Sequence, residues 1–245
     1  MSKSLYLKLI IIFIGITPFM APIRADIGWF NIDPAHLKLV WSILFTSIFA
    51  IIWIVMQLSS GSIRVVKTTL YYPIGLFLLW CFVTLFWSKN WYFAIILLSI
   101  LSSSILIFLI IINTFKTISS VQRLLKTLVF SMAVVSIIGL IQYYFNNHEI
   151  IQNIFAQVAK PSSTFGNKNF ASHFLVMVLP VSLILILSAK SKNKITIYSF
   201  VLFIGLWYLI YISARQAYVA VFIETLLFTL FLKIIPTCIG HAQEY

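Results

Sequence analysis

Charged side chains are scarce in this sequence. Only 9% of its 245 residues are Asp, Glu, Lys or Arg, whereas 62% are apolar. A soluble domain carries about a quarter of its residues as charged side chains, so most of this protein's surface must face something other than water. The mean hydropathy of +1.06 agrees with this. These values exclude a water-soluble globular protein and indicate a membrane protein.

Acidic residues are the scarcest of all, with 5 Asp and Glu against 17 Lys and Arg and a net charge of +12. A basic excess attracts either nucleic acid or anionic lipid. Here the basic residues stand in short clusters between apolar runs, which is the arrangement that sets membrane topology. We therefore expect a lipid bilayer, and no nucleic acid, as the partner of this charge.

Cysteine pairs and metal-binding motifs are also missing. The two cysteines, Cys81 and Cys238, have neither metal-ligand spacing nor the pattern of a disulfide framework. The sequence contains no Gly-rich phosphate loop, no paired-histidine metal motif and no nucleophile elbow. We expect no cofactor and no metal site.

What the sequence does contain is a series of long apolar runs. A helix that crosses a hydrocarbon core of ~30 Å needs ~20 mostly apolar residues. Eight stretches meet this length: 5–22, 37–57, 71–88, 93–112, 127–145, 170–189, 195–213 and 216–235. The first could pass for a secretory signal, but its cleavage site is poor and further spans follow at once. The expected fold is an all-α polytopic bundle of about eight transmembrane helices.

The orientation follows from the distribution of the basic residues. With the N-terminus in the cytoplasm, 11 of the 17 Lys and Arg lie on the cytoplasmic side, as the positive-inside rule requires. Eight spans then place the C-terminus in the cytoplasm as well.

The chain divides into four parts on this interpretation. Residues 1–145 hold five spans, 146–169 form an outer loop, 170–235 hold three spans and 236–245 form a cytoplasmic tail. Apolar residues between 150 and 158 recur at helical spacing, which predicts a short amphipathic helix in the outer interface that Pro161 ends.

The sixth span opens on a polar turn, Gly166-Asn167-Lys168-Asn169. Gly166 permits a tight turn or a positive φ. Either asparagine can cap the free amides of the helix that follows. Helix capping alone would explain both asparagines, and a lysine is ordinary at a membrane interface.

Arg215 opens the eighth span, which runs in the same direction as the sixth. If the two helices begin side by side, their N-termini together with Arg215, Lys168 and Lys160 form an electropositive pocket at the outer surface. A guanidinium binds phosphate oxygens in bidentate fashion, so the matching ligand is a lipid-linked diphosphate. Alternatively, Arg215 binds no ligand, and its side chain only extends so that the guanidinium lies in the headgroup layer.

Some of the polar side chains inside predicted spans could take part in chemistry. Gln142 lies near the outer end of the fifth, and His173 shares a helical face with Asn169. A membrane histidine is more often satisfied by a neighbouring carbonyl than catalytic. Glu224 lies mid-span and must be paired, protonated or facing a cavity. It stands nine residues after Arg215, about 13 Å along a helix, so the two do not pair within that helix.

The polar turn at 166–169, the Arg215 segment two helices later and the glutamine-bearing stretch 139–142 resemble motifs of the O-antigen ligase family. This family of bacterial membrane proteins also contains O-antigen polymerases and protein O-oligosaccharyltransferases. The family's serine directly before the arginine is replaced here by Ala214.

The resemblance implies a glycosyltransferase of the bacterial inner membrane, active in lipopolysaccharide biosynthesis or protein glycosylation. A glycan would pass from undecaprenyl diphosphate to a hydroxyl of an acceptor lipid, polymer or protein, with inversion and without metal. Arg215 would hold the diphosphate, and Asn167, Asn169 and Gln142 would shape the donor pocket, with Gly166, Lys168 and His173 as further binding candidates.

Family members carry a large periplasmic loop with a histidine that activates the acceptor. This sequence ends at Tyr245 before such a loop, so the resemblance implies the N-terminal part of a transferase, which binds the donor and turns over little. Two other functions stay open: a transporter or permease that uses Glu224 and His173 as an ion path, and a non-catalytic lipid-binding protein.

Overall fold

The computed structural model describes residues 3–19, 26–27, 30–31, 34–61, 65–145 and 161–242. Over these residues the chain is helical apart from one short antiparallel pair, β1 (Asp26–Ile27) with β2 (Phe30–Asn31). The predicted all-α class is confirmed. The eight α-helices of the described part are α1 Lys3–Ile16, α2 Pro34–Ser59, α3 Tyr71–Val83, α4 Trp91–Thr114, α5 Ile118–Tyr144, α6 Lys168–Leu187, α7 Lys192–Ile212 and α8 Arg215–Ala242.

Five of these helices are long and apolar enough to cross a membrane. They comprise Leu39–Ser59 within α2 and the whole of α4, α5, α6 and α7. Helix α3 is shorter than predicted because its α-helical part ends at Val83 and continues as a 3-10 turn over Thr84–Trp87. The chain is thus a membrane protein by the length and composition of its helices, while the count of about eight spans stays a prediction.

The described residues form two compact units. Unit 1 comprises Met1–Thr17 and Ala35–Leu124. Its core joins α1, α2 and α4 through Tyr6, Ile10, Phe49 and Ile110. The Tyr6 hydroxyl donates a 2.7 Å hydrogen bond to the Phe49 carbonyl, which satisfies the polar end of a ring that is otherwise surrounded by apolar side chains.

Unit 2 comprises Pro18–Pro34 and Leu125–Tyr245. Its core lies among α5, α6, α7 and α8 and contains Met132, Leu175, Tyr208 and Ala217, all 1% exposed or less. Short connections join α6 to α7 and α7 to α8, so these three helices alternate in direction, and hydrogen bonds between Gln142 near the end of α5 and Ser163 before α6 bring those two ends together. Consequently α5 and α7 end, and α6 and α8 begin, at one end of the unit, which we call the junction end.

Two of the sequence-based predictions fall on residues that the structure leaves undescribed. The amphipathic helix predicted at 150–158 and the basic residue Lys160 lie outside the described ranges.

Pro180 lies inside α6, which is continuous from Lys168 to Leu187.

Candidate functional site

The loop that precedes α6 is buried although it consists of hydroxyl residues. Ser162, Ser163 and Thr164 are 4%, 1% and 5% exposed. The Ser163 N–H donates to Gln142 Oε1 at 2.7 Å, and Gln142 Nε2 donates back to the Ser163 carbonyl at 3.1 Å. The Ser163 hydroxyl donates to the Val135 carbonyl at 2.6 Å. Helix α5 therefore fixes the loop through backbone groups that would otherwise be buried without partners.

Two further hydrogen bonds secure the same loop. The Tyr208 hydroxyl of α7 donates to the Pro161 carbonyl at 3.2 Å, and the Thr164 hydroxyl donates to the Pro18 carbonyl at 2.6 Å. The Tyr208 ring can reach this position because it packs directly over Gly139 of α5, where a Cβ atom would overlap the ring. The loop is thus tied to three separate parts of unit 2.

Gln142 acts in the structure as a positioning residue. Both ends of its amide are bonded to the backbone of Ser163, and the side chain is 6% exposed. It sets the conformation of the loop that leads to Gly166 and α6. Its predicted part in a donor pocket stays a prediction.

The turn itself has the geometry that its sequence predicts. Gly166 has φ +68°, in the left-handed region that favours glycine. Asn167 is the N-cap of α6, since its side-chain oxygen accepts from the Asn169 N–H at 2.8 Å. Asn169 is exposed and Lys168 is partly exposed. Of the two predicted caps, Asn167 is the one that the structure uses.

The start of α8 is held by a tight turn. Ser213, between the two helices, has φ +51°. The Tyr218 hydroxyl of α8 donates a 2.8 Å hydrogen bond to the Ile210 carbonyl in the last turn of α7. Ala214 is 6% exposed within the core cluster. A serine at that position would place a hydroxyl among apolar side chains. Arg215, the next residue, is exposed.

Helices α6 and α8 contact each other. Ala171 and Leu175, in the first turns of α6, belong to the same buried cluster as Ala214, the residue before α8, and Ala217 in its first turn. Neither helix has an acidic residue in its first turn. Two positive helix ends and the guanidinium of Arg215 thus stand at the junction end, without an acidic side chain in those first turns to offset them.

The two remaining predicted polar residues occupy different environments. His173 is exposed on the outer face of α6, beside Phe170 and Met177, which are 53% and 65% exposed. Glu224 is partly buried and shares the inward face of α8 with Ala217. The outward position of His173 gives no support to an ion path through the helices of unit 2.

Three tyrosines that sequence reasoning did not single out as site residues meet at the junction end. Tyr143 and Tyr144 close α5, and Tyr211 lies in the last turn of α7. The Tyr143 and Tyr211 ring centroids are 4.1 Å apart, and the Tyr144 and Tyr211 hydroxyls share a 2.7 Å hydrogen bond. Their meeting depends on tertiary packing between α5 and α7, which no local pattern in the sequence shows.

Unit 1 contains an open cavity of about 560 Å³, lined by residues 65–69 together with Tyr71 and Tyr72. One extended segment and the start of α3 supply all of these residues. It holds one cation, Lys67, among threonines, tyrosines and valines. Unlike the junction end, this cavity therefore does not lie beside two helix N-termini.

No group of three or more His, Cys, Asp or Glu side chains that could hold a metal ion occurs in the part of the chain that the structure describes. Comparison with known proteins found no matching family model, no matching curated protein and no matching solved structure. The function therefore has to be argued from the geometry of unit 2 itself.

Proposed function

We propose that this chain is an O-antigen ligase-like glycosyltransferase component of the bacterial inner membrane, and that it binds an undecaprenyl-diphosphate-linked glycan at the periplasmic face. The observation that carries the proposal is the exposed Arg215 at the start of α8, a helix that contacts α6 and begins at the same end of unit 2. The resemblance of residues 166–169 and of the Arg215 segment to that family supports the same function.

The junction end has the chemistry that a diphosphate requires. Unpaired amides at a helix N-terminus point toward an anion, and the helix dipole favours negative charge there. An arginine adds a planar donor fork that stays charged when it is partly desolvated. Because the phosphates of a polyprenyl lipid lie at the membrane surface, a site at the ends of spanning helices is at the depth that they occupy.

The role of Arg215 in the transfer is electrostatic. When an acceptor hydroxyl attacks the anomeric carbon of the glycan, the bond to the diphosphate breaks and its electron pair leaves with the phosphate oxygen. The proton of the hydroxyl passes to the released diphosphate. Arg215 and the amides of α6 stabilise this growing negative charge. The acceptor is a lipid, a polymer or a protein that carries the hydroxyl.

The positive-inside distribution of Lys and Arg predicts that the junction end faces the periplasm and that both chain termini lie in the cytoplasm. In that orientation α6 and α8 run inward from the site. The glycan donor is then held on the side of the membrane where the acceptor hydroxyl is presented.

The proposal is tested by measuring the binding of undecaprenyl diphosphate to the purified chain in nanodiscs. Arg215→Glu should weaken binding about 10- to 100-fold, because a charge-assisted pair is lost and repulsion replaces it. Lys89→Glu is the matched control: it makes the same change in net charge at an exposed position of unit 1. It should alter the affinity less than twofold.

Equal losses in the two variants would show that the lipid responds only to overall surface charge, which would overturn the proposed site.

A further inference from the structure

The three tyrosines of the junction end, Tyr143, Tyr144 and Tyr211, form what we call the tyrosine cluster. The Tyr143 ring is tilted by 36° to that of Tyr211, and the Tyr144 and Tyr211 centroids are 5.6 Å apart. The rings come from two helices, so the cluster is a product of the fold and not of one helical face. Tyr143 and Tyr144 are nevertheless 44% and 54% exposed.

Exposed aromatics elsewhere in the chain are arranged differently. In unit 1 Trp80 pairs with Trp87, and Tyr92 pairs with its neighbour Phe93. These contacts join residues close in sequence, as expected for single side chains that settle in the headgroup layer. The tyrosine cluster instead couples the end of α5 to the end of α7 and shares a hydroxyl–hydroxyl bond. The fold thus assembles aromatic rings and phenol groups from two helices into one surface.

The cluster adjoins the proposed diphosphate site. Tyr211 precedes Arg215 by four residues across a tight turn, and the Tyr218 hydroxyl fixes that turn by its 2.8 Å bond to Ile210. A ligand whose phosphates contact Arg215 is therefore held at the same end of unit 2 as the tyrosine rings.

We propose that the tyrosine cluster is the sugar subsite of this donor site and holds the sugar next to the diphosphate. The proposal rests on the proposed diphosphate site and adds the surface that recognises the carbohydrate. A sugar ring has an apolar face of C–H groups, which packs on aromatic rings, and hydroxyls, which bond to the phenol oxygens. A quaternary ammonium would also suit aromatic faces, but the neighbouring guanidinium repels it.

The test compares two probes in nanodiscs: undecaprenyl diphosphate, and the same lipid carrying one N-acetylglucosamine. Stacking on aromatic rings tolerates a change of sugar, so this probe serves even if the natural sugar differs. The unaltered chain should bind the glycosylated probe roughly three- to tenfold more tightly, the size expected of an aromatic contact. Tyr211→Leu should abolish this gain and leave the affinity for the bare diphosphate within about twofold.

Tyr92→Leu is the control, because Tyr92 is 70% exposed at the start of α4 in unit 1. It should retain the full gain. If Tyr211→Leu fails to fold, Tyr143→Leu makes the same test at a more exposed ring. Arg215→Glu should weaken both probes by the same factor and keep their ratio.

Equal binding of both probes by the unaltered chain would overturn the sugar subsite and leave the diphosphate site standing. A sugar gain that persists in Tyr211→Leu, or that is lost equally in Tyr92→Leu, would also overturn it. Competition by phosphatidylcholine vesicles that disappears in Tyr211→Leu would assign the rings to a lipid headgroup instead. If Arg215→Glu has no effect on either probe, the proposed function fails even where the sugar gain remains.

Discussion

Gly139 of α5 packs directly against the Tyr208 ring of α7. An added Cβ atom would overlap the Tyr208 ring, whose hydroxyl bonds the Pro161 carbonyl of the loop before α6. A larger residue at 139 would therefore move the ring, and with it one of the attachments of the loop.

Gly139→Ala should lower the free energy of unfolding by about 1–3 kcal/mol, as over-packing of a buried contact does. Gly75→Ala is the matched control, because Gly75 is also helical but has no atom within 4 Å of an added Cβ. It should be neutral or stabilising by up to about 1 kcal/mol, from helix propensity. Thermal unfolding in detergent measures both. Equal melting temperatures would contradict the described contact.

Single residues also show where sequence reasoning stops. Gln142 could be recognised as a polar group that needs a partner, but its partner is the backbone of Ser163, 21 residues away. In that loop Ser163 has φ +51°, and no pattern in the sequence predicts this conformation. The outward position of His173 was equally unpredictable, because it depends on which face of α6 meets the other helices.

At the scale of elements, the start of α6 has a structural role and a proposed functional role. Asn167 caps the helix through the Asn169 N–H, so its loss affects stability whether or not a ligand binds there. A substitution that keeps the cap but changes the charge separates the two roles.

Asn167→Asp should preserve stability, because aspartate caps as well as asparagine and its charge suits a helix N-terminus. The same charge should weaken the binding of undecaprenyl diphosphate about two- to tenfold by repulsion. Asn167→Ala should show the reverse pattern, with a loss of about 1 kcal/mol in stability and little change in affinity. Unchanged affinity in Asn167→Asp would reduce Asn167 to a helix cap alone.

The helices themselves were predictable because long apolar runs leave the backbone no other way to satisfy its hydrogen bonds in a membrane. Each of the eight predicted stretches coincides with a helix in position. The ends were less predictable: the shift to a 3-10 turn at Thr84 follows a run that is uniformly apolar from Tyr71 onward. Hydropathy does not mark such a change.

At the scale of the whole molecule, the alternation of α5 to α8 has a consequence for topology. Asn169 at the start of α6 and Ser191 before α7 lie at opposite ends of unit 2, and both are exposed. The charge distribution predicts that the Asn169 end faces the periplasm.

Asn169→Cys, in a chain whose Cys81 and Cys238 are replaced by alanine, should react with a membrane-impermeant maleimide in intact spheroplasts. Ser191→Cys should react only after lysis. The opposite pattern would show that the membrane orientation is the reverse of the predicted one and that the junction end faces the cytoplasm. Labelling of both positions from outside would contradict a spanning α6.

The parts of the candidate site that the sequence predicted are those carried by local pattern: the Gly166 turn, an asparagine cap and a cation at a helix start. The contact between α6 and α8 and the meeting of Tyr143 with Tyr211 arise only when the helices pack. Side-chain packing between helices of uniform hydropathy has no periodic signal to read, since nearly every face is apolar.

The most direct test of the account is to locate the bound lipid. An undecaprenyl diphosphate analogue with a photoreactive group beside the phosphates is bound to the chain in nanodiscs, irradiated, and its cross-links are mapped by mass spectrometry. We predict cross-links to residues 166–172 and 213–219, at the starts of α6 and α8. Cross-links concentrated on residues 65–72, around the cavity of unit 1, would contradict the proposed site.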